Sequence, residues 1–138
     1  MIRSELAQNS IWEVGTIRAR LNPRSAIGTM SVAANVTSAQ GIPLITATSI
    51  GHSLWSRRGA AETEAYKDGV SIGTSATASS GVLALPFYIL GSSTTGPALN
   101  QASSRQVVAV HWGLGLTSAE ALAIYSALYA YATSVGAL

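Results

Sequence analysis

Few side chains in this sequence could do chemistry, and their types and spacing narrow what that chemistry would be. There is one aspartate, Asp68, and the glutamates are Glu5, Glu13, Glu62, Glu64 and Glu120. Glycoside hydrolysis needs two carboxylates flanking the scissile bond. Glu62 and Glu64 stand two apart and so share one face of a strand, but beside Lys67 they read as an ordinary solvent-facing surface. Asp68 belongs to a turn and Glu120 to a helix cap. A Ser–His–Asp triad would have to combine His52 or His111 with Asp68, and no G-x-S-x-G elbow supplies the serine. His111, on an expected strand beside Trp112, reads as a packed or hydrogen-bonded histidine. The two histidines lie far apart with no zinc spacing, there is no cysteine, and the carboxylates are too few for calcium. GTSATASSG and GSSTTG are flexible polar loops rather than phosphate cradles. No catalytic residue, metal site or cofactor is expected, and the chain is read as not being an enzyme.

Binding chemistry is harder to set aside. Sugar sites pair an exposed aromatic ring with planar polar donors. Trp55 with Arg57 and Arg58, and Trp12 further upstream, are the available platforms for a glycan or a partner. The alternative is that the tryptophans fill the core, where large aromatics bury the most area.

Composition favours contact with other protein. The chain has 138 residues, about one domain, of which 48% are apolar and 10% charged, against roughly 25% charged in ordinary soluble domains. A surface so poor in charge is often covered in an assembly. The net charge is only +2, and the basic residues are scattered from Arg3 to Arg105 without a run. Nucleic-acid binding is therefore not expected. No apolar segment follows the start MIRSEL, so no secretory signal is expected. The C-terminal stretch is rich in Ala, Ser, Thr and Tyr and opens on a soluble-type cap, which argues against a membrane span.

The elements that would position these residues read mostly as strands. In Ile11–Arg20 and on to Leu21, alternation places Ile17, Ala19 and Leu21 opposite Arg18 and Arg20, a half-buried strand. NPRS (22–25) is a turn. Residues 26–36 form a weaker strand with Met30 and Val32 on one side. TSAQGIP (37–43) reads as a loop, broken by Gly41 and Pro43. LITATSIGHSLWSRR (44–58) is one long strand or two broken near Gly51. EAYKDGVSIG (64–73) is a hairpin, because Asp68-Gly69 supplies the positive φ angles of a type I′ turn. Residues 74–81 are a loop or an edge strand. VLALPFYILG (82–91) is apolar on both alternating faces and reads as a strand covered on both sides, near an edge or bulge because of Pro86. A polar loop follows, then a strand over RQVVAVHW (105–112). Short strands separated by turns indicate a sandwich.

The chain closes in a helix over about 117–135. Thr117 and Glu120 form a capping box, and Gly136 suits the C′ position. Leu122, Tyr125, Leu128, Tyr129 and Ala132 make an apolar stripe, widened by Ile124, Tyr131 and Val135. The opposite face is small: Ala119, Ala123, Ser126, Ala127, Ala130 and Ser134. Such a helix is expected to close one end or edge of a sheet, with its small face either exposed or approached closely by another backbone.

Several pieces resemble, in order, the concanavalin A-like, laminin-G-like jelly-roll domains of bacteriophage tail and virion proteins. They are SLWSRRG, the hairpin YKDG (66–69), the strand PFYILG and the helix entrance GLGLTSAEALAIYSAL (113–128); RARLNPRSAIGTMSVAANV resembles the preceding strand pair more loosely. The resemblance spans about two-thirds of the chain. It implies a mainly β, antiparallel jelly-roll sandwich with one C-terminal α-helix, occupying 1–138 as a single domain. It also implies a non-enzymatic structural protein located in the virion, on capsid, tail or fibre, that assembles with itself or with neighbouring virion proteins. The alternative is a carbohydrate-binding module for host attachment; a glycan hydrolase comes third. Such jelly rolls usually have more strands ahead of this point, so the expectation is either a reduced sandwich or one completed by a second chain.

Overall fold

The computed structural model describes residues 1–2, 14–24, 28–37, 40–45, 48–93 and 95–138, with 40–45 as main chain only. The chain is mainly β, with antiparallel sheets and one C-terminal helix. Its strands are β1 (Val14–Thr16), β2 (Ala19–Asn22), β3 (Thr29–Ala34), β4 (Gln40–Ile45), β5 (Ser53–Gly59), β6 (Glu62–Lys67), β7 (Val70–Ser75), β8 (Tyr88–Ile89), β9 (Gly91–Ser92) and β10 (Gln101–Ala102). The helix is α1 (Ser118–Ser134). One sheet runs β4-β3-β2-β1-β8, a second β5-β6-β7, and β9 pairs with β10.

Side-chain alternation on the second sheet explains the layering. Trp55 sits opposite Ala65, and Leu54 opposite Tyr66. Successive residues face opposite sides. Ala65 is buried with Leu21, Met30 and Val32 of the first sheet, and Trp55 and Ile72 pack against this cluster. Leu54 and Tyr66 are buried with Ala121 of α1, joined by Leu116. The second sheet therefore lies between the first sheet and the helix. Its fully buried Tyr66 and the fully buried Met30 and Val32 mark the two interfaces.

The hairpin expected at Asp68-Gly69 is present, with φ +50 and +79, the two positive angles of a type I′ turn. The helix sits on that turn: a Cβ on Gly69 would lie 2.8 Å from Leu122 Cδ1. The capping box is also present. Thr117 N donates to Glu120 Oε2 at 2.8 Å, and Glu120 N to Thr117 Oγ1 at 3.3 Å. Gly136 N donates to Thr133 O and Ala137 N to Ala132 O, a complete Schellman stop with Gly136 at φ +67. The turn at Asn22 closes through its side chain, which accepts from Arg24 N at 3.1 Å.

Four expectations are corrected. The single strand through Arg18 is a hairpin: Ile17 and Arg18 connect β1 to β2, with Val14 opposite Leu21. Gly15 makes that close pairing feasible, since a Cβ there would strike Ala19 O. Residues 40–43, expected as loop, begin β4. Pro43 is accommodated because β4 is an edge strand, where one side needs no N–H donor. The apolar run 82–90 is coil except for Tyr88–Ile89. Leu90 turns away at φ +60, and Val82 and Phe87 stand exposed. Residues 105–112 form no strand, only a bridge from Val107 to Ile2. The helix α1 packs on the side of the second sheet that Leu54 and Tyr66 present, at its Asp68-Gly69 end. Of its apolar stripe only Ala132 is buried, together with Ala121 from outside the stripe.

Candidate functional site

The residues read as a contact platform are split by the alternation of β5. Trp55 packs on the inter-sheet cluster. Arg57 points the same way, and its guanidinium is engaged by main-chain carbonyls: Nε donates to Ala34 O at 2.6 Å, Nη1 to Ala60 O at 2.6 Å and Gly59 O at 3.2 Å, and Nη2 to Thr77 O at 3.1 Å. It thereby ties β3, β5 and the segment after β7 together. Arg58 lies on the other side, 2.5 Å from Glu62 and 3.3 Å from Glu64. Trp12 lies outside the described residues.

Glu64 departs from the solvent-face reading. It is buried, accepts from Tyr66 Oη at 2.7 Å and pairs with Arg58. Hydrogen bonds from Ser71 and then Tyr66 hold its carboxyl below the usual range. Tyr66 Oη also lies 3.4 Å from Ser118 Oγ, so the network fastens the start of α1 to β6. The i, i+2 spacing of Glu64 and Tyr66 carried the signal for a shared face, but not for which face is covered.

The histidines, distant in sequence, meet. His52 Nε2 lies 2.9 Å from His111 Nε2, and one ring must donate while the other accepts. Tyr125 of α1 stacks on His52 at 6.2 Å between centroids. Burial first, then the Met1 amine and His111, pull His52 down to about 4. Burial and the same amine lower His111. Asp68 Oδ1 accepts the His52 main-chain N–H at 2.7 Å rather than a ring proton, so it does not orient the imidazole as a triad would require. Among the described residues, no group of three or more His, Asp or Glu is placed to hold a metal ion. Among the described residues, no helix is long and apolar enough to cross a membrane.

A cavity of about 270 Å³ runs beside β5, lined by Trp55, Arg57, His52, His111, Phe87 and Trp112 among others. Around it, and on parts of its own lining, the surface is strongly apolar. Leu114 is 93% exposed, Val82 78% and Trp112 74%. Leu122, Tyr129 and Tyr131 of α1 and its C-cap Val135 are each about half exposed or more, and Glu120 is the single charged residue of the helix.

No family model matches this chain, nor does any curated protein or solved structure. What the chain can do must therefore be argued from its own surface. That surface offers apolar area, a crevice with aromatic walls and few free charges.

Proposed function

We propose that this chain is a non-enzymatic structural component of a phage virion, a concanavalin A-like jelly-roll subunit that assembles with itself and with neighbouring virion proteins. The observation that carries the reading is the uncovered apolar surface of α1 and the residues leading to it. Soluble monomers rarely leave large contiguous apolar patches open, and those that do usually use them for contact. Covering such area yields roughly 25 cal/mol per Å² before the costs of association.

The pieces behind the jelly-roll resemblance also pack as one unit. Ser56 of SLWSRRG exchanges hydrogen bonds with Leu116, 60 residues away, at 2.8 and 2.6 Å. Gly69 of YKDG lies under Leu122 and Tyr125. Gly115 abuts the Arg57 main chain, where no Cβ would fit. Motifs that occur in a fixed order are thus mutually dependent in packing, which supports reading them as one inherited module. Trp55 and Arg57 are held within the fold, so they lend the glycan-binding reading no added support.

Light scattering of the purified chain over a concentration series tests the proposal. The expected result is a discrete oligomer that the double substitution Tyr131→Lys, Val135→Lys, at two exposed positions one turn apart, converts to monomer without lowering the melting temperature. A monomer at every concentration would overturn it.

A further inference from the structure

β5 is an edge strand, and the cavity follows that edge. Gly51, just before β5, pairs outward with Ile2: Ile2 N donates to Gly51 O at 2.8 Å and Gly51 N to Ile2 O at 2.9 Å. His52 pairs inward, its carbonyl accepting from Asp68 N. Main-chain groups alternate sides along an antiparallel strand. The N–H and C=O groups of Ser53, Trp55 and Arg57 therefore point out from the sheet, into the cavity.

The far wall is the strap from Val110 to Gly115, which makes no main-chain hydrogen bond among the described residues. Met1 and Ile2 already bridge the two walls as a strand would. Ile2 forms antiparallel bridges to both Gly51 and Val107, Val108 N donates to Met1 O at 2.9 Å, and the Met1 amine donates to Ala109 O at 2.6 Å. The gap is thus one strand wide where it is filled. It continues beyond Met1 along β5 until Gly115 meets the Arg57 carbonyl and Leu116 meets Ser56. From Ser53 to Arg57 that is four residue steps, about 13 Å of extended chain. Two polar atoms beside this path, Ser53 Oγ and His52 Nδ1, are buried without partners. Buried polar groups without partners are costly.

We propose that the groove between the free edge of β5 and the Val110–Gly115 strap receives an extended strand from a partner polypeptide, running antiparallel to β5. The strand is uncharged, because Arg57 is engaged by carbonyls, the Met1 amine donates to Ala109 O, and the described lining holds no further guanidinium, ammonium or carboxylate. Its alternate residues are apolar, against Trp55 on one side and Leu116 on the other, with a hydroxyl facing Ser53. This rests on the assembly reading and gives it a docking site: the partner completes the sheet by adding a strand.

The probe is the capped peptide acetyl-Thr-Val-Thr-Val-amide, titrated into the full chain while tryptophan emission is followed. Trp55 and Trp112 both line the groove. The expected result is saturable binding with slowed amide exchange at Ser53 and Trp55. N-methylation of alternate peptide amides, which removes donors but no apolar area, should weaken binding about tenfold or more. Ser53→Pro, which deletes one outward N–H at an edge position where proline is tolerated, should weaken it too. Absent binding, or equal binding of the N-methylated peptide, overturns the proposal. So does protection of the Ser53 and Trp55 amides in the self-associated chain alone, which would make the occupant a second copy. If light scattering finds only monomer while the peptide binds as expected, the assembly reading fails and the groove stands.

Discussion

The buried histidine pair predicts a specific loss of stability in mild acid. In the unfolded chain His52 titrates near 6.5; in the fold burial holds it down to about 4. Above pH 6.5 it is neutral in both states and adds no pH dependence. As pH falls from 6.5 to about 4, the unfolded chain takes up a proton that the folded chain refuses, so stability declines. Below about 4 both states are protonated and this contribution levels off. The span from 6.5 to about 4, at ~1.36 kcal/mol per pH unit, amounts to about 3 kcal/mol. His111 is lowered as well and adds in the same direction. The Met1 amine, brought from 8.0 to about 6 by burial first and then Lys67, acts with the same sign but mostly at higher pH. The Glu64 carboxyl, held low by Ser71 and Tyr66, contributes stability that is lost only as pH falls below the ordinary carboxylate range. Urea unfolding at half-unit steps from pH 7 to 4 measures the sum. The double substitution His52→Leu, His111→Leu should flatten the curve between 6.5 and 4.5. A flat wild-type curve, or an unchanged slope in the double variant, would refute the reasoning.

Other consequences follow from single contacts. Gly69→Ala places a Cβ at φ +79 and 2.8 Å from Leu122, so it should cost about 1–2 kcal/mol in urea unfolding for the backbone conformation alone. Thr117→Ala removes the cap that accepts from Glu120 N and should cost about 1 kcal/mol, visible as fraying of α1 by circular dichroism. Arg57→Met keeps the aliphatic stem but orphans the Ala34 carbonyl, and should cost about 2 kcal/mol while exposing the main chain near Thr77 to faster hydrogen exchange.

What could be read from the sequence was local. The Asp68-Gly69 turn and the Thr117–Glu120 cap need only a few neighbouring residues to be favourable, and both are present. Met30 and Val32 read as one face of a strand for the same reason. Failures came where the deciding partner is remote. The runs 82–90 and 105–112 have strand-like alternation, but alternation does not supply a neighbour to bond with. Among the described residues the first forms strand pairs only at Tyr88–Ile89, and the second forms a single β-bridge, at Val107. Gly15 carried the signal for the β1–β2 hairpin, yet its role emerges only once Ala19 and Arg20 are seen against it. The platform residues Trp55, Arg57 and Arg58 were legible as a cluster in sequence, whereas the period of two sends them to opposite faces. The meeting of His52 with His111 depends on the strap crossing β5 and left no trace in spacing.

The claim that contact is the purpose of this surface can be tested at one side chain. The chain has no cysteine, so Ala127→Cys provides a single thiol one turn from Tyr131 on an exposed face of α1. Its maleimide labelling rate is measured from dilute to concentrated protein. Burial of that face in an assembly predicts a rate that falls as concentration rises and recovers when Tyr131→Lys and Val135→Lys are added. A labelling rate independent of concentration would contradict the account.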